Sequence, residues 1–497
     1  MNMIELIKSN YKYAIAAMIA YVVILVSYPG NVGTPKLAYV VIVGGLLATL
    51  FLPTFSGKKH YYKLLYLVIA FLGVSAALLT PVLYTPDETV HYSRSLYIST
   101  GEVNMDNKKE HLVVTENYFQ TVDERKELIT GTDLFRVPNS DRKQDFWKLV
   151  DFRATNAYSF ISYIPQVTGI LIAKSLHLSA GHMFYLGRIM NALFYALLLV
   201  IAVRLSGRFK QIILMMGMLP MNIILAGSYN QDGTAVGLQF VIIGYFIHLL
   251  EKKEKIHFRQ VLLFAILSGL MIVCKIPYVM LFGLIVFIPI KRFKNRWTYF
   301  SGWGLGMLLA ILALVWFKVS SQVHFNYTDV QNVDTGRQIA SILNQPVASF
   351  LVLLKEFFNM GYKTEQLWHF GYLDIFMTSM YPYLMLPILY IIVGNTNKIQ
   401  LKNVTRNGLA LVGSAIAFAI ILSMYLLVTQ VGGNTVLGVQ GRYYMGVYTM
   451  YLLILSSFKI KHLQMDPIPD NFVIQTGIIM SSAVFLQSIT LASTFVK

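Results

Sequence analysis

Two adjacent carboxylates, a histidine and an arginine follow the third long hydrophobic run of this 497-residue chain. These residues, Asp87, Glu88, His91 and Arg94, open a long polar segment where a membrane span would meet water. A carboxylate held at such a boundary could accept the proton of a hydroxyl nucleophile. General-base chemistry is therefore one interpretation of this segment.

The same residues also fit the beginning of a helix. A Thr-Pro-Asp-Glu sequence starting at Thr85 forms a capping box, with proline at the first helical position and Glu88 at the third. In a helix that continues from there, Asp87, His91 and Arg94 share one face, because they stand at i, i+4 and i+7. From the residues alone, catalysis and helix capping both stay open.

The composition identifies an integral membrane protein. Hydrophobic residues make up 56% of the chain and charged residues 13%, and the mean hydropathy is +0.57; no soluble domain hides so much apolar surface. The single cysteine, Cys274, excludes an intramolecular disulfide and a cysteine-based metal cluster. The formal net charge of +17 lies between the hydrophobic runs, so it is predicted to face anionic lipid rather than nucleic acid.

Thirteen hydrophobic runs approach the length of about 20 residues that a transmembrane helix needs. They predict an all-α polytopic membrane protein in which residues 1–497 form a single integral membrane domain. The first run lacks a small-residue cleavage site and is expected to remain as a span. The predicted spans are 13–28, 36–55, 62–84, 183–203, 210–226, 232–250, 260–274, 277–290, 298–318, 380–394, 407–430, 443–458 and 471–494.

Alternate connections between these runs are rich in lysine and arginine. The other short connections and the C-terminus carry only Lys36, Lys275, Arg442 and Lys497. The positive-inside rule therefore predicts a multi-pass protein of the cell membrane with a cytoplasmic N-terminus. In that orientation the two long loops, 85–182 and 319–379, are extracytoplasmic.

Two segments depart from a simple crossing pattern. Residues 158–176 are long enough to span, but they are amphipathic and contain a proline and a lysine, which predicts a helix that lies in the outer interface or re-enters from it. The runs 260–274 and 277–290 are short and meet at Lys275. A broken helix or tight hairpin is expected there, and such breaks usually line a cavity.

With this topology, the polar motifs are expected to converge on the outer face and to share one polar cavity. The motifs are Asp87-Glu88-x-x-His91-x-x-Arg94, Asn230-Gln231-Asp232-Gly233, Lys275, Gly371-Tyr372-Leu373-Asp374 and Gln440-Gly441-Arg442-Tyr443-Tyr444.

Each motif also has a structural interpretation. Arg442 could be an interfacial anchor, although a guanidinium next to a glycine suits bidentate binding of phosphate as well. Asp232 lies in a good turn sequence, and Asp374 fits an N-cap. Because the chain has no nucleotide phosphate loop, dinucleotide fingerprint or His-Glu-x-x-His motif, a donor substrate is expected to come from the membrane.

Six segments in this order carry a resemblance to a known family. They are Pro86-Asp87-Glu88 with His91, Tyr163-Ile164-Pro165-Gln166, Gly187-Arg188-Ile189-Met190-Asn191, Tyr229-Asn230-Gln231-Asp232-Gly233, Phe370-Gly371-Tyr372-Leu373-Asp374 and Val439-Gln440-Gly441-Arg442-Tyr443. The chain resembles, over about residues 60–460, a bacterial family of polytopic membrane proteins catalogued as domain of unknown function 2142. That family is grouped with the GT-C glycosyltransferases, which take a sugar from a polyprenyl-phosphate lipid on the extracytoplasmic side.

The resemblance implies a GT-C-like fold and roles for the matching residues. Asp87 is expected to be the general base toward the acceptor hydroxyl, and Glu88 a second carboxylate or a helix cap. The residues expected to orient the acidic group, donor or acceptor are His91, Arg94, Asn230, Asp232 and Asp374. Those expected to hold the donor phosphate are Arg442, Lys275 and Gln440. No metal is expected, although Asp87, Asp232 and Asp374 could supply oxygen ligands to Mg²⁺ or Mn²⁺.

The resemblance further implies transfer of the sugar to a cell-envelope glycan, a lipid-linked acceptor or a protein. The expected partners are the lipid donor, the acceptor, membrane lipids, and the synthase and flippase that supply the donor, with no nucleic acid. A flippase or transporter of lipid-linked glycans and a non-enzymatic scaffold stay open. Within the enzymes, so does an outer-face polymerase or ligase that uses lipid-diphosphate-linked saccharides.

Overall fold

The computed structural model describes residues 3–27, 36–51, 60–80, 82–83, 85–103, 111–115, 147–320, 332–368, 381–395, 400–458 and 468–495. In these ranges the α-helices, numbered α1 to α17 in chain order, are Met3–Ser27, Lys36–Phe51, Tyr61–Leu79, Glu88–Ile98, Ile164–Ser175, Ala180–Leu205, Lys210–Gly217, Pro220–Ala226, Asp232–Glu251, Phe258–Cys274, Arg296–Ser320, Thr335–Asn344, Pro346–Asn359, Tyr381–Asn395, Asn403–Leu427, Met445–Ser456 and Asp470–Phe495. Short 3₁₀ helices are Arg153–Ala157, Phe160–Tyr163, Gly207–Phe209, Ile276–Phe287, Ile290–Arg292, Tyr362–Trp368 and Gly441–Tyr444.

Helices dominate the described part of the chain, which confirms the helical prediction at that level. The exception is a two-stranded antiparallel sheet in the first long loop, formed by β1 (His111–Thr115) and β2 (Trp147–Asp151). The hydropathy pattern did not predict these strands.

Several helices meet the requirements for membrane spans. Among the described residues, α1, α3, α6, α9, α11 and α15 are long and apolar enough to cross, and α7 with α8 would be a seventh span if the bent pair counts as one. A multi-pass membrane protein is thus supported. The predicted thirteen crossings and the GT-C-like fold are not confirmed; α2 and α10, for example, have only 16 and 17 residues.

Helix α9 lies in the interior of the helical assembly. In its apolar window 89% of the residues are buried, against 17% in α11. It packs closely on α6, because glycines at Gly237 and Gly244 admit the neighbouring helix. A Cβ at Gly244 would stand 2.7 Å from the Ala202 carbonyl oxygen. Small residues at such intervals allow helices to pack closely inside membranes, and here they fix the helix whose first residue is Asp232.

The predicted span 210–226 is not one straight helix. Helices α7 and α8 meet at an angle of 73°, because Pro220 begins α8 and forces Leu219 into an extended conformation. Backbone groups freed by such a break must find other partners in the membrane. Asn222 Nδ2 donates to the Met216 carbonyl at 2.7 Å, and Tyr195 donates to the Gly217 carbonyl at 2.7 Å.

The expected break at Lys275 is present. Helix α10 ends at Cys274, Lys275 is extended, and Pro277 begins a turn of different geometry. The segment 276–287 that follows is a 3₁₀ helix rather than the predicted α-helical span 277–290. It packs back against α10, so the pair forms a hairpin with Lys275 at its tip.

The segment predicted as an interfacial helix forms α5. With 12 residues it is about 18 Å long and too short to cross a bilayer. It packs against α6 and α4. The second long loop contains two further helices, α12 and α13, which pack against α15.

Candidate active site

Four chain segments that are far apart in sequence meet at one polar cluster. Asp87 precedes α4, Asp232 begins α9, Lys275 stands at the hairpin tip, and Arg442 lies in the 3₁₀ helix before α16. Asp232 is the first residue of its helix, and Asp87 and Lys275 are the capping residues of theirs. Arg442 is the second residue of its 3₁₀ helix. The structure thereby brings together four of the residues singled out from the sequence.

The cluster is a chain of alternating charges. The Arg442 guanidinium forms an ion pair with Asp87, and its Nε lies 3.5 Å from Asp232 Oδ2. Lys275 Nζ is 2.6 Å from Asp232 Oδ1, and the same oxygen accepts a hydrogen bond from Gln231 Nε2 at 3.0 Å. Two carboxylates and two cations thus share one network. Asp232 is its anchor, because it contacts both cations.

Exposure distinguishes the members of this network. The Asp87 side chain is 48% exposed, whereas those of Arg442 and Asp232 are 2% exposed and that of Lys275 is 10% exposed. Asp87 is therefore the member that a substrate can reach. Arg442 also keeps hydrogen-bonding capacity at Nη1, which has no hydrogen-bond partner among the described residues, whereas its Nε faces Asp232.

Tyr443 covers both cations with its ring. Lys275 Nζ lies 4.4 Å and the Arg442 guanidinium 5.2 Å from the ring centroid. Such cation–π contacts stabilise charges that have lost water. The residue was part of a sequence motif, but the motif did not indicate this contact.

His91 lies beside the network as a buried, neutral group. Its Nδ1 hydrogen-bonds the Tyr163 hydroxyl at 2.8 Å, and the ring lies 5.9 Å from that of Tyr158. Burial lowers the pKa of His91 to about 4, although the nearby Asp87 and Asp232 act in the opposite direction. It is therefore uncharged at neutral pH and can orient groups but adds no charge.

This pKa predicts a pH dependence of stability. Since the unfolded chain protonates His91 near pH 6.5 and the folded protein only near 4, stability is fully present above pH 6.5 and falls as the pH drops toward 4. The loss should reach about 3 kcal/mol. His91→Asn should flatten the dependence of the thermal unfolding midpoint on pH over that window. The control variant His177→Asn, at an exposed histidine, should leave this pH dependence unchanged. Equal pH slopes for wild type and His91→Asn would show that His91 is not the group responsible.

Glu88 does not belong to this network, contrary to its expected role as a second carboxylate. Its side chain is fully buried and pairs with Arg188, at 2.8 Å from Nε to Oε1 and 2.6 Å from Nη2 to Oε2. The capping prediction is also wrong in register. Helix α4 begins at Glu88, and Asp87 occupies the N-cap in the left-handed region, with φ of 60° and no side-chain cap bond. Burial, not capping, determines the position of Glu88.

Asn230 has a structural position in the turn before α9. Its Nδ2 donates to the Pro86 carbonyl at 3.0 Å, and its Oδ1 accepts the Asp232 amide at 2.9 Å. The side chain thus links the turn of Asp232 to the residue before Asp87. Its expected role in orienting a donor or acceptor stays a prediction.

Within the described ranges, no hydrogen bond or ion pair joins Arg94 or Gln440 to the charge network. Arg94 is buried, donates to the Val103 carbonyl at 2.8 Å and lies over the Tyr97 ring. Gln440 precedes the 3₁₀ helix of Arg442, and its Oε1 has no hydrogen-bond partner among the described residues. The expected roles of both stay predictions.

Asp374 and the motif around it lie outside the described residues. Within the described part of the chain, no three histidine, cysteine, aspartate or glutamate side chains form a group that could hold a metal ion. Asp87 and Asp232 instead face the cations of Arg442 and Lys275. These two carboxylates therefore fit ion pairing better than a divalent metal.

Arg188 belongs to one of the segments that carry the family resemblance, and its sequence context predicted no role for it. It lies inside a predicted membrane span, and an ionisable residue at membrane depth is itself a sign of function. The sequence shows an arginine at that depth, but it does not show that Glu88 is the partner of Arg188.

Comparison with known proteins gives one family. A family model described as "Predicted membrane protein (DUF2142)" matches residues 70–450, which include Asp87, Asp232, Lys275 and Arg442. No curated protein and no solved structure shows a significant match to the chain.

Proposed function

The chain belongs to the DUF2142 family of predicted membrane proteins, and from this premise we propose that it is a membrane glycosyltransferase of the polyprenyl-phosphate-dependent kind. The site is proposed to face the extracytoplasmic side, as the distribution of lysine and arginine favours. The acceptor is a hydroxyl group of the cell envelope, on a glycan, a lipid or a protein.

One observation carries the proposal: an exposed carboxylate and a buried guanidinium with an unused donor lie in direct contact. Asp87 is the reachable base, and Arg442 Nη1, which has no hydrogen-bond partner among the described residues, is proposed to bind a phosphate oxygen. A guanidinium holds phosphate by paired, charge-assisted hydrogen bonds. Proton acceptance and phosphate binding thus lie side by side, as transfer from a sugar phosphate requires.

The proposed reaction assigns each group a step. Asp87 accepts the proton of the acceptor hydroxyl while the oxygen of that hydroxyl forms a bond to the anomeric carbon of the sugar. The bond between that carbon and the phosphate oxygen breaks, and polyprenyl phosphate leaves. Arg442, with Lys275 beside it, stabilises the negative charge that develops on the leaving phosphate. Buried donors suit this task, since their charges are poorly screened by water.

Lys275 contributes to phosphate binding because the helix break places its ammonium beside Arg442 in the same charge network. Its ammonium stands between Asp232 and the Tyr443 ring. A phosphate that binds Arg442 would meet this second cation next to it. Asp232 then keeps both cations in place without itself facing the substrate, since it is buried.

Transfer by purified protein tests the proposal. The wild type in lipid nanodiscs should release polyprenyl phosphate from a synthetic polyprenyl-phosphate sugar when acceptor glycan is present. Asp334→Asn is a control, because asparagine replaces an exposed N-cap aspartate equally well. Turnover only with lipid-diphosphate-linked saccharides would favour a polymerase or ligase. No turnover with any donor of a broad panel would contradict the proposal.

A further inference from the structure

A buried ion pair lies directly behind the exposed carboxylate of the site. Arg188 of α6 holds Glu88 by two parallel hydrogen bonds of 2.8 and 2.6 Å, and both side chains are fully buried. The guanidinium also lies 4.6 Å from the centre of the Phe184 ring. A bidentate pair in such surroundings has one fixed geometry.

The same arginine reaches a third element. Its Nη1 donates to the carbonyls of Ala77 and Thr80, at 3.0 and 2.7 Å, at the end of α3. Arg188 therefore joins α3, α6 and the first residue of α4. The two carbonyls lie at the end of α3, and Glu88 lies just after the start of the polar segment that follows it.

Glu88 extends the link to the turn that carries Asp232. Its Oε1 accepts the Tyr229 amide at 3.0 Å, and Asn230 Nδ2 donates to the Pro86 carbonyl at 3.0 Å. The residues on both sides of Asp87 are thus tied to one turn. That turn leads directly into Asp232.

Close packing supports this arrangement. A Cβ on Gly227 would stand 2.6 Å from the Ala77 amide nitrogen, and one on Gly187 would collide with the Tyr229 hydroxyl. Asp87 itself has a left-handed backbone, which aspartate and asparagine adopt more readily than most residues but which still has a conformational cost. The clamp formed by Arg188, Glu88 and the turn holds it in that conformation.

We infer that Arg188 and Glu88 are positioning residues, which set the separation of Asp87 and Asp232 and thereby the place where Arg442 is held. The link to turnover rests on the proposed function. Stability alone does not explain the pair, because a buried ion pair is often no more stabilising than well-packed apolar side chains of the same volume.

The test distinguishes a positioning role of the ion pair from a contribution to folding stability. Arg188→Met leaves Glu88 charged and buried without its partner, and should lower the unfolding midpoint strongly. Arg188→Met with Glu88→Leu removes both charges and should recover most of that loss. In the double variant we expect kcat for transfer to fall at least about tenfold, with KM for the donor within about threefold of wild type.

A second readout does not need turnover. Hydrogen–deuterium exchange of the double variant should be faster in peptides covering 85–98 and 228–233, and unchanged in α15. The matched control is Lys210→Met with Asp470→Leu, which removes an ion pair between α7 and α17. This control should keep wild-type kcat and wild-type exchange in the two peptides. Arg188→Lys, which keeps the charge but not the paired geometry, should fold and show an intermediate kcat.

The outcomes are distinct. Wild-type exchange in the two peptides, in a folded double variant, would overturn the inference. So would faster exchange with unchanged kcat. If the double variant does not fold, wild-type kcat and exchange in Arg188→Lys would overturn it. Failure of the wild type to transfer any sugar would contradict the proposed function, and exchange would still decide whether the pair positions the two segments.

Discussion

Asp87→Asn is expected to lower kcat for sugar transfer by about a hundredfold or more, since general bases typically contribute at least this factor. The amide keeps the shape of the side chain but cannot accept a proton at neutral pH. Asn is also well tolerated in the left-handed conformation that Asp87 adopts. The folded structure should therefore persist, and the loss should lie in turnover.

The same variant should bind the lipid donor more tightly. In the resting protein Asp87 pairs with Arg442, and a phosphate must share or replace that partner. Removing the negative charge frees the guanidinium, so Kd for the polyprenyl-phosphate sugar should fall by about threefold, which corresponds to the small free energy of a partly exposed ion pair. Titration of lipid into protein in nanodiscs measures this change.

Asp334→Asn is the matched control for both measurements and should leave kcat and Kd unchanged. Wild-type turnover in folded Asp87→Asn would exclude this carboxylate as the base. Weaker donor binding in Asp87→Asn would show that Asp87 does not compete with the phosphate for Arg442.

Arg442→Met is expected to weaken binding of the polyprenyl-phosphate sugar by about ten- to a hundredfold, because hydrogen bonds to charged groups contribute about 1.5–3 kcal/mol. Transfer should fall further than binding, since the leaving phosphate carries more charge in the transition state. The donor affinity and the transfer rate of Arg442→Lys should lie between those of wild type and Arg442→Met, because an ammonium keeps the charge but cannot form the paired bonds of a guanidinium.

The fold should survive Arg442→Met. Asp232 keeps Lys275 as its partner at 2.6 Å, and the half-exposed Asp87 can be hydrated. Arg337→Met, at an exposed arginine of α12, is the matched control and should leave binding and transfer unchanged. Wild-type donor affinity in a folded Arg442→Met protein would remove Arg442 from the phosphate site.

The contrast between Asp87 and Glu88 shows why the opening motif was ambiguous. The two carboxylates are adjacent in sequence, and both suit the start of a helix. In the structure one is half exposed beside Arg442 and the other is fully buried against Arg188. Neighbours on opposite sides of a helix start meet different surroundings, so sequence adjacency did not predict a shared role.

The sequence by itself determined the features that depend on near neighbours. Hydropathy over about 20 residues indicated a multi-pass membrane protein. Two short hydrophobic runs that meet at Lys275, with Pro277 at the start of the second, indicated the helix break that the structure contains. The charge and turn motifs likewise indicated Asp87, Asp232, Lys275 and Arg442 as candidates for one polar site.

Only the tertiary structure decided which charged side chains form ion pairs with each other. Arg188 and Glu88 are 100 residues apart in the chain, and Arg442 and Asp87 are 355 apart. Such pairs depend on how whole helices pack, and on burial, which makes an unpaired charge costly and so selects its partner. The left-handed start of α4 was settled at the same level, since packing overrides local preference.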